Sequence, residues 1–175
     1  MIYNMKVILI LDQIQSGLGT KDDVNLPLGL ETLYIGPAVM MKPHLDKLGI
    51  KVSHCIYCGT GFYFKNEEKI LEKLKVVLTK AAPDAVICGP SYNYADYSKM
   101  CAHIATYLKQ NTDLNVLCAM AKENVDVINE FKNQIPILKM PKKGEGGLPT
   151  AIEDICKLTN SLVKGEDLEK YQLYR

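Results

Sequence analysis

The stretch from Asp84 to Leu108 most constrains what this chain can become. Ala85–Cys88 is a short apolar run with β-branched residues, the pattern of a strand buried on both faces. Gly89-Pro90 breaks the run. Asn93 suits a helix N-cap, and Asp96 suits the positive end of a helix three residues later. Tyr97, Cys101, Ile104, Ala105 and Leu108 then share one helical face. Strand, tight loop and helix in that order place Gly89–Asn93 outside the carboxyl end of a strand. In open parallel sheets that is where ligands bind.

The same alternation runs through the chain and argues for βαβ units. Lys6–Leu11 is a first strand, and a long glycine-bearing loop follows from Asp12 to about Thr32. Loops of this length in compact domains usually have a function. Gly36-Pro37 opens a first helix whose apolar face is read as Val39, Met40, Leu45 and Leu48. Val52–Cys58 is a second strand, and Asn66 caps a second helix. Asn115–Met120 is a fourth strand, and Asn124 caps a short helix after it. Ile135–Met140 is a fifth strand, an edge because Pro136 lies near its start. Gly144–Gly147 leads into a last helix, with Gly165 past its end. The expected fold is an α/β, three-layer, doubly wound domain with a five-stranded parallel sheet in the flavodoxin-like order 2-1-3-4-5. Residues 1–165 form one domain and 166–175 a polar tail that packs on a partner or frays. The switch point falls between the first and third strands, so Gln13–Thr20 and Gly89–Asn93 face each other across one crevice.

Composition narrows the function. Among 175 residues, 21 basic side chains oppose 20 acidic ones, which gives no electrostatic reason to expect nucleic acid. No apolar run approaches a membrane span, and Met5–Leu11 reads as a strand rather than a signal peptide. A cytoplasmic location is the default. There the six cysteines stay reduced.

Several constellations offer chemistry. Gly17-Leu18-Gly19 is a lone glycine pair, with Asp22 where a dinucleotide fingerprint needs a third glycine. Cys55-Ile56-Tyr57-Cys58 has redox or zinc spacing, but on a strand three residues apart means opposite faces. Structural thiols are favoured, no metal site is expected, and Cys58 is only a weak catalytic candidate. Cys58 and Gly59 could look into the crevice from the strand's carboxyl end. Lys143, Gly144, Gly146 and Gly147, between a strand and a helix, form a candidate anion cradle. A solvated loop explains them equally well. Ser91 has no adjacent histidine, so it is no nucleophile; with Tyr92 and Asn93 it remains a binding candidate. Asn93 fits a cap better than a ligand contact. Glu123, beside Asn124, is the nearby carboxylate available for acid–base work. No cofactor is expected; a flavin is disfavoured by the absence of tryptophan and of a compact hydroxyl-rich phosphate loop.

These motifs together resemble a known family. Gln13 with Gly17 and Gly19, Gly36-Pro37, Cys58-Gly59 with Tyr63-Phe64 and Asn66, the segment Gly89–Asn93 with Tyr97 and Cys101, and Met120 with Glu123-Asn124 match along most of the chain. The pattern resembles the N-terminal part of the selenoprotein B subunit of glycine, sarcosine and betaine reductases, related also to proline reductase. The resemblance implies anaerobic reductive deamination of an amino acid or an N-methylated relative. It implies a partner subunit with a pyruvoyl group, and a selenol that attacks the α-carbon and expels the amine. It places the reactive selenocysteine in the later half of a longer chain, and these 175 residues contain none. Transfer of that role to Cys58 is unwarranted. The expectation is a crevice for substrate or partner, in a chain associated with other reductase subunits or with copies of itself. The alternative is a stand-alone binding protein for a small carboxylate or amine.

Overall fold

The computed structural model describes residues 2–175. In chain order the elements are β1 (Met5–Leu11), β2 (Gly29–Glu31), α1 (Pro37–Lys47), β3 (Ile50–Tyr57), α2 (Thr60–Lys65), α3 (Glu67–Ala81), β4 (Ala85–Ser91), α4 (Ala95–Asn111), β5 (Asn115–Ala121), α5 (Val125–Phe131), β6 (Ile137–Met140) and α6 (Leu148–Val163). The sheet has six strands, in the order β2-β3-β1-β4-β5-β6. This corrects the five-stranded, all-parallel expectation. The added strand, β2, is three residues long and pairs antiparallel with β3. It lies inside the loop after β1, and three residues are too few to show a period in sequence.

β1 pairs in parallel with β3 on one side and with β4 on the other. The chain therefore leaves β1 toward one edge and later returns to build toward the other, and the reversal falls between β1 and β4. Side-chain alternation on β1 divides the core. Ile8 and Ile10 pack under α3, α4 and α5, while Val7, Leu9 and Leu11 pack under α1 and α6. Cys55 and Cys58 likewise fall in opposite core layers.

Several local expectations change. β4 does not end at Gly89-Pro90 but continues to Ser91, with a cis bond at that pair and a register shift against β5. Gly89 has φ 131, and a Cβ there would stand 2.8 Å from the Ala119 carbonyl oxygen, so glycine is required. The inward face of α1 is Ala38, Met41 and Leu45, whereas Val39 and Met40 are exposed. The apolar stripe begins one residue away from the one read in sequence. α2 was not expected, and Asn66 sits between it and α3, where its Nδ2 donates to the Phe62 carbonyl instead of capping. The cap position of α4 is Tyr94, not Asn93, and no side-chain cap bond is made there.

The tail neither frays nor projects. Lys139 N donates to the Gln172 carbonyl and Tyr174 N to the Ile137 carbonyl, making an antiparallel bridge between Leu173 and Leu138 along the outer side of β6. Tyr171 anchors it, with its hydroxyl 2.6 Å from Ser161 Oγ.

Candidate functional site

The loops after β1 and β4 meet at the carboxyl end of the sheet. Between them lies a cavity of about 380 Å³, lined by Asp12, Ile14, Gln15 and Lys21 from one side and Tyr92, Asn93, Tyr94 and Tyr97 from the other, with Lys143 at its edge. A second, mostly apolar cavity of about 340 Å³ adjoins it. The two share Tyr92, Asn93 and Lys143, and the second adds Pro141, Lys142, Gly144, Gly146 and Leu148. Opposed loops at the switch point thus enclose one two-lobed crevice, as the chain order requires.

Asp12 ends the apolar run of β1 and is 1% exposed. Its Oδ1 accepts the backbone N–H groups of Ile14 (3.0 Å) and Gln15 (2.6 Å). Its Oδ2 is buried with no hydrogen-bond partner among the described residues. Burial pushes this carboxyl above the usual range, against the lowering effect of the Gln15 and Ile14 amides. Tyr92 Oη is a second buried orphan, and burial raises its phenol as well. Groups left unpaired at such a place are costly in an empty site, and a polar ligand can offset that cost.

Gln13, next to Asp12, is used differently. Fully buried, its Oε1 accepts the Thr60 N–H at 3.2 Å, while its Nε2 donates to Tyr94 Oη at 3.2 Å and to the Lys21 carbonyl at 3.4 Å. It ties three segments together and holds the wall of the crevice. Tyr97 does the same from below, its hydroxyl donating to the Ile10 carbonyl at 2.7 Å. Gly36 seats the β1 loop on α1: φ is 54, and a Cβ would come within 1.9 Å of the Gln15 carbonyl oxygen.

The other sequence candidates divide. Tyr92, Asn93, Lys143, Gly144 and Gly146 line the crevice; Gly147 sits at the cap position of α6 and borders a neighbouring surface hollow. Gly17 and Gly19 belong to the β1 loop but line neither lobe. Ser91 is buried, accepting a bond from Ser98 Oγ and donating to the Ala119 carbonyl. Asn124 donates to the Tyr92 and Ala121 carbonyls and so braces the crevice from behind. Glu123 lines neither lobe; its carboxylate oxygens are buried without partners. Tyr174 is nearby, its phenol pushed up to about 12 by burial and by the charges of Glu123 and Glu145.

Cys58 and Gly59 do not reach the crevice. Cys58 is 2% exposed, its thiol donates to the Gly59 carbonyl, and burial pushes its pKa up to about 12. Such a thiol carries almost no thiolate near neutrality, which argues against a nucleophile. Gly59 N donates to the Leu26 carbonyl, strapping the long loop over the end of β3. All six cysteines are buried and free. No group of three His, Cys, Asp or Glu side chains able to hold a metal occurs among the described residues.

Sequence reasoning missed Asp12, Lys21 and Tyr94 as lining residues. Asp12 carried a signal: a carboxylate directly after the central strand's apolar run.

The family model for glycine/sarcosine/betaine reductase selenoprotein B matches residues 4–173. The chain belongs to this family. Two curated relatives share the match. The sarcosine reductase complex component B subunit beta of Peptoclostridium acidaminophilum is 23% identical over 162 residues, which is 93% of this chain and 36% of the relative. The glycine reductase complex component B subunit gamma of Peptoclostridium litorale is 21% identical over 168 residues, 94% of this chain and 37% of the relative. The chain thus spans little more than a third of the length of these relatives. A solved methylene-tetrahydromethanopterin dehydrogenase overlays 94% of this chain and 51% of its own, at 12% identity and a TM-score of 0.41, a likeness too loose to bear on function. No helix among the described residues is long and apolar enough to cross a membrane.

Proposed function

We propose that this chain serves a glycine/sarcosine/betaine-type reductase, as a subunit or a close stand-alone relative, and contributes a recognition crevice rather than the reducing nucleophile. The reaction served is the reductive deamination of an amino acid or N-methylated amine under anaerobic conditions, in the cytoplasm. The observation that carries this reading is the two-lobed crevice at the switch point, with the orphaned Asp12 Oδ2 and Tyr92 Oη among its lining residues. The Cys58 thiol, held protonated by burial, supports the assignment of the nucleophile to another polypeptide. Six buried, free cysteines fit a reducing compartment. Family membership and the relatives' names as complex subunits support partner subunits.

A second reading is a free-standing binding protein for a small carboxylate or amine, alone or as a homo-oligomer. It is favoured by one observation: Asp12 and Lys143 line the same lobe, so an acidic and a basic side chain are offered to a small amine or carboxylate. Native mass spectrometry on protein purified gently from its source separates the two. A heteromeric mass supports the reductase-subunit reading; the mass of this chain or its multiples supports the second.

A further inference from the structure

Asp12 and two lysines, Lys21 and Lys143, put opposite charges on one small cavity. Asp12 is fixed by the Ile14 and Gln15 amides, yet its Oδ2 is left without a partner. Lys143 lies where the two lobes join, on the glycine-rich loop before α6. A ligand that satisfies both carries a hydrogen-bond-donating cation and an anion.

We propose that Asp12 is the specificity-determining carboxylate of the crevice: it receives the N–H groups of a small zwitterionic amino acid, whose carboxylate turns toward Lys143, and it excludes ligands with a quaternary nitrogen. This rests on the reading of the crevice as a small-molecule site. A primary or secondary ammonium donates a short, charge-assisted bond to Oδ2. A quaternary ammonium has no hydrogen to donate, its methyl groups hold the charge away, and Oδ2 stays buried and unpaired. Sites built to bond an N–H reject analogues that lack it far more strongly than apolar pockets reject a methyl group.

The rival arrangement is an aromatic box, since three tyrosines line this lobe. Tyr97 is 1% exposed and its hydroxyl is committed to the Ile10 carbonyl, which leaves two rings at most to face a cation. An orphaned carboxylate oxygen is the feature a box would not need.

The test is an amide NMR titration of the full chain at neutral pH with glycine, N-methylglycine and N,N,N-trimethylglycine, repeated with Asp12→Asn. Asparagine keeps an Oδ1 acceptor for the Ile14 and Gln15 amides, so the turn is retained, and the melting temperature verifies it. The expected result is shifts at Ile14, Gln15 and Asn93 with the first two ligands, each binding at least roughly tenfold tighter than the trimethyl compound. Asp12→Asn should erase that preference by weakening the N–H ligands at least roughly tenfold. Trimethylglycine binding as tightly as glycine overturns the inference and leaves the crevice reading standing. So does a glycine affinity unchanged in Asp12→Asn. No crevice shift with any of the three ligands overturns the inference and the small-molecule reading together.

Discussion

The loops that frame the crevice are built in opposite ways. The loop after β1 is locked: Gln13 spends both ends of its amide on other segments, and Gly36 lets the Gln15 carbonyl press against α1. The loop after β6 is open: Gly144, Gly146 and Gly147 all have positive φ, and a Cβ on any of them would meet nothing within 4 Å. Its bond from Lys142 N to Glu145 Oε2, and the ion pair that ties Glu145 to Lys122 on the loop after β5, are exposed. Solvent-exposed bonds of this kind hold a loop only weakly. The acid therefore sits on a rigid wall, and two of the three lining lysines, Lys142 and Lys143, sit on a pliable lip. A rigid group selects among ligands, while a pliable one adapts to whatever has been selected.

The contrast can be broken most severely at Gly36. Gly36→Val should cost about 3 kcal/mol, because the backbone is left-handed there and the carbonyl of Gln15 must move. Urea denaturation measures it, and a loss under about 1 kcal/mol would mean that the loop is not pinned. Gln13→Ala should cost about 2 kcal/mol by stranding the Thr60 N–H in a buried place. On the pliable side, Gly146→Ala should cost only about 1 kcal/mol, the left-handed backbone penalty without a clash. A loss as large as that of Gly36→Val would erase the distinction between the loops.

Titration sharpens the same comparison. Burial raises the folded-state pKa of Asp12 above its unfolded value. The protonated form is thus favoured on folding: the contribution is fully present below the unfolded pKa and is lost as pH rises through the folded pKa. One proton limits the slope to about 1.4 kcal/mol per pH unit. Asp12→Asn should flatten that part of the stability-versus-pH profile; an unchanged profile would show that the carboxyl is solvated. The smallest effect belongs to Asn93. It is exposed, with Tyr94 in the cap position, so Asn93→Ala should shift stability by no more than about 0.5 kcal/mol. A loss of about 1 kcal/mol would restore the capping role read in sequence.

What could be read from sequence was whatever repeats locally. The apolar runs of β1 and β5 and the spacing of Ile70, Leu74 and Leu78 on α3 announce themselves, because burial selects residues two or about four apart. Opposite placement of Cys55 and Cys58 follows from the same period. β2 and α2 are too short to carry a period. The roles of Gln13 and Asn124 depend on bonds to Thr60 and Tyr92, distant in the chain, and no local pattern encodes such pairings. Tyr92 and Asn93 were legible as site residues because strand ends in parallel sheets bind ligands; Asp12 obeys the same rule and was overlooked.

The tail laid along β6 has a consequence for how this protein can meet others. By bridging Leu138, Leu173 occupies hydrogen-bonding groups that another chain would otherwise template upon. Strand-to-strand docking is thereby discouraged at that border of the sheet. At the opposite border stands β2, three residues long and too brief to guide a long β-pairing. Pairing by added strands is thus discouraged at both borders, which leaves the helical layers and the rim where the loops converge as the faces open to other kinds of contact.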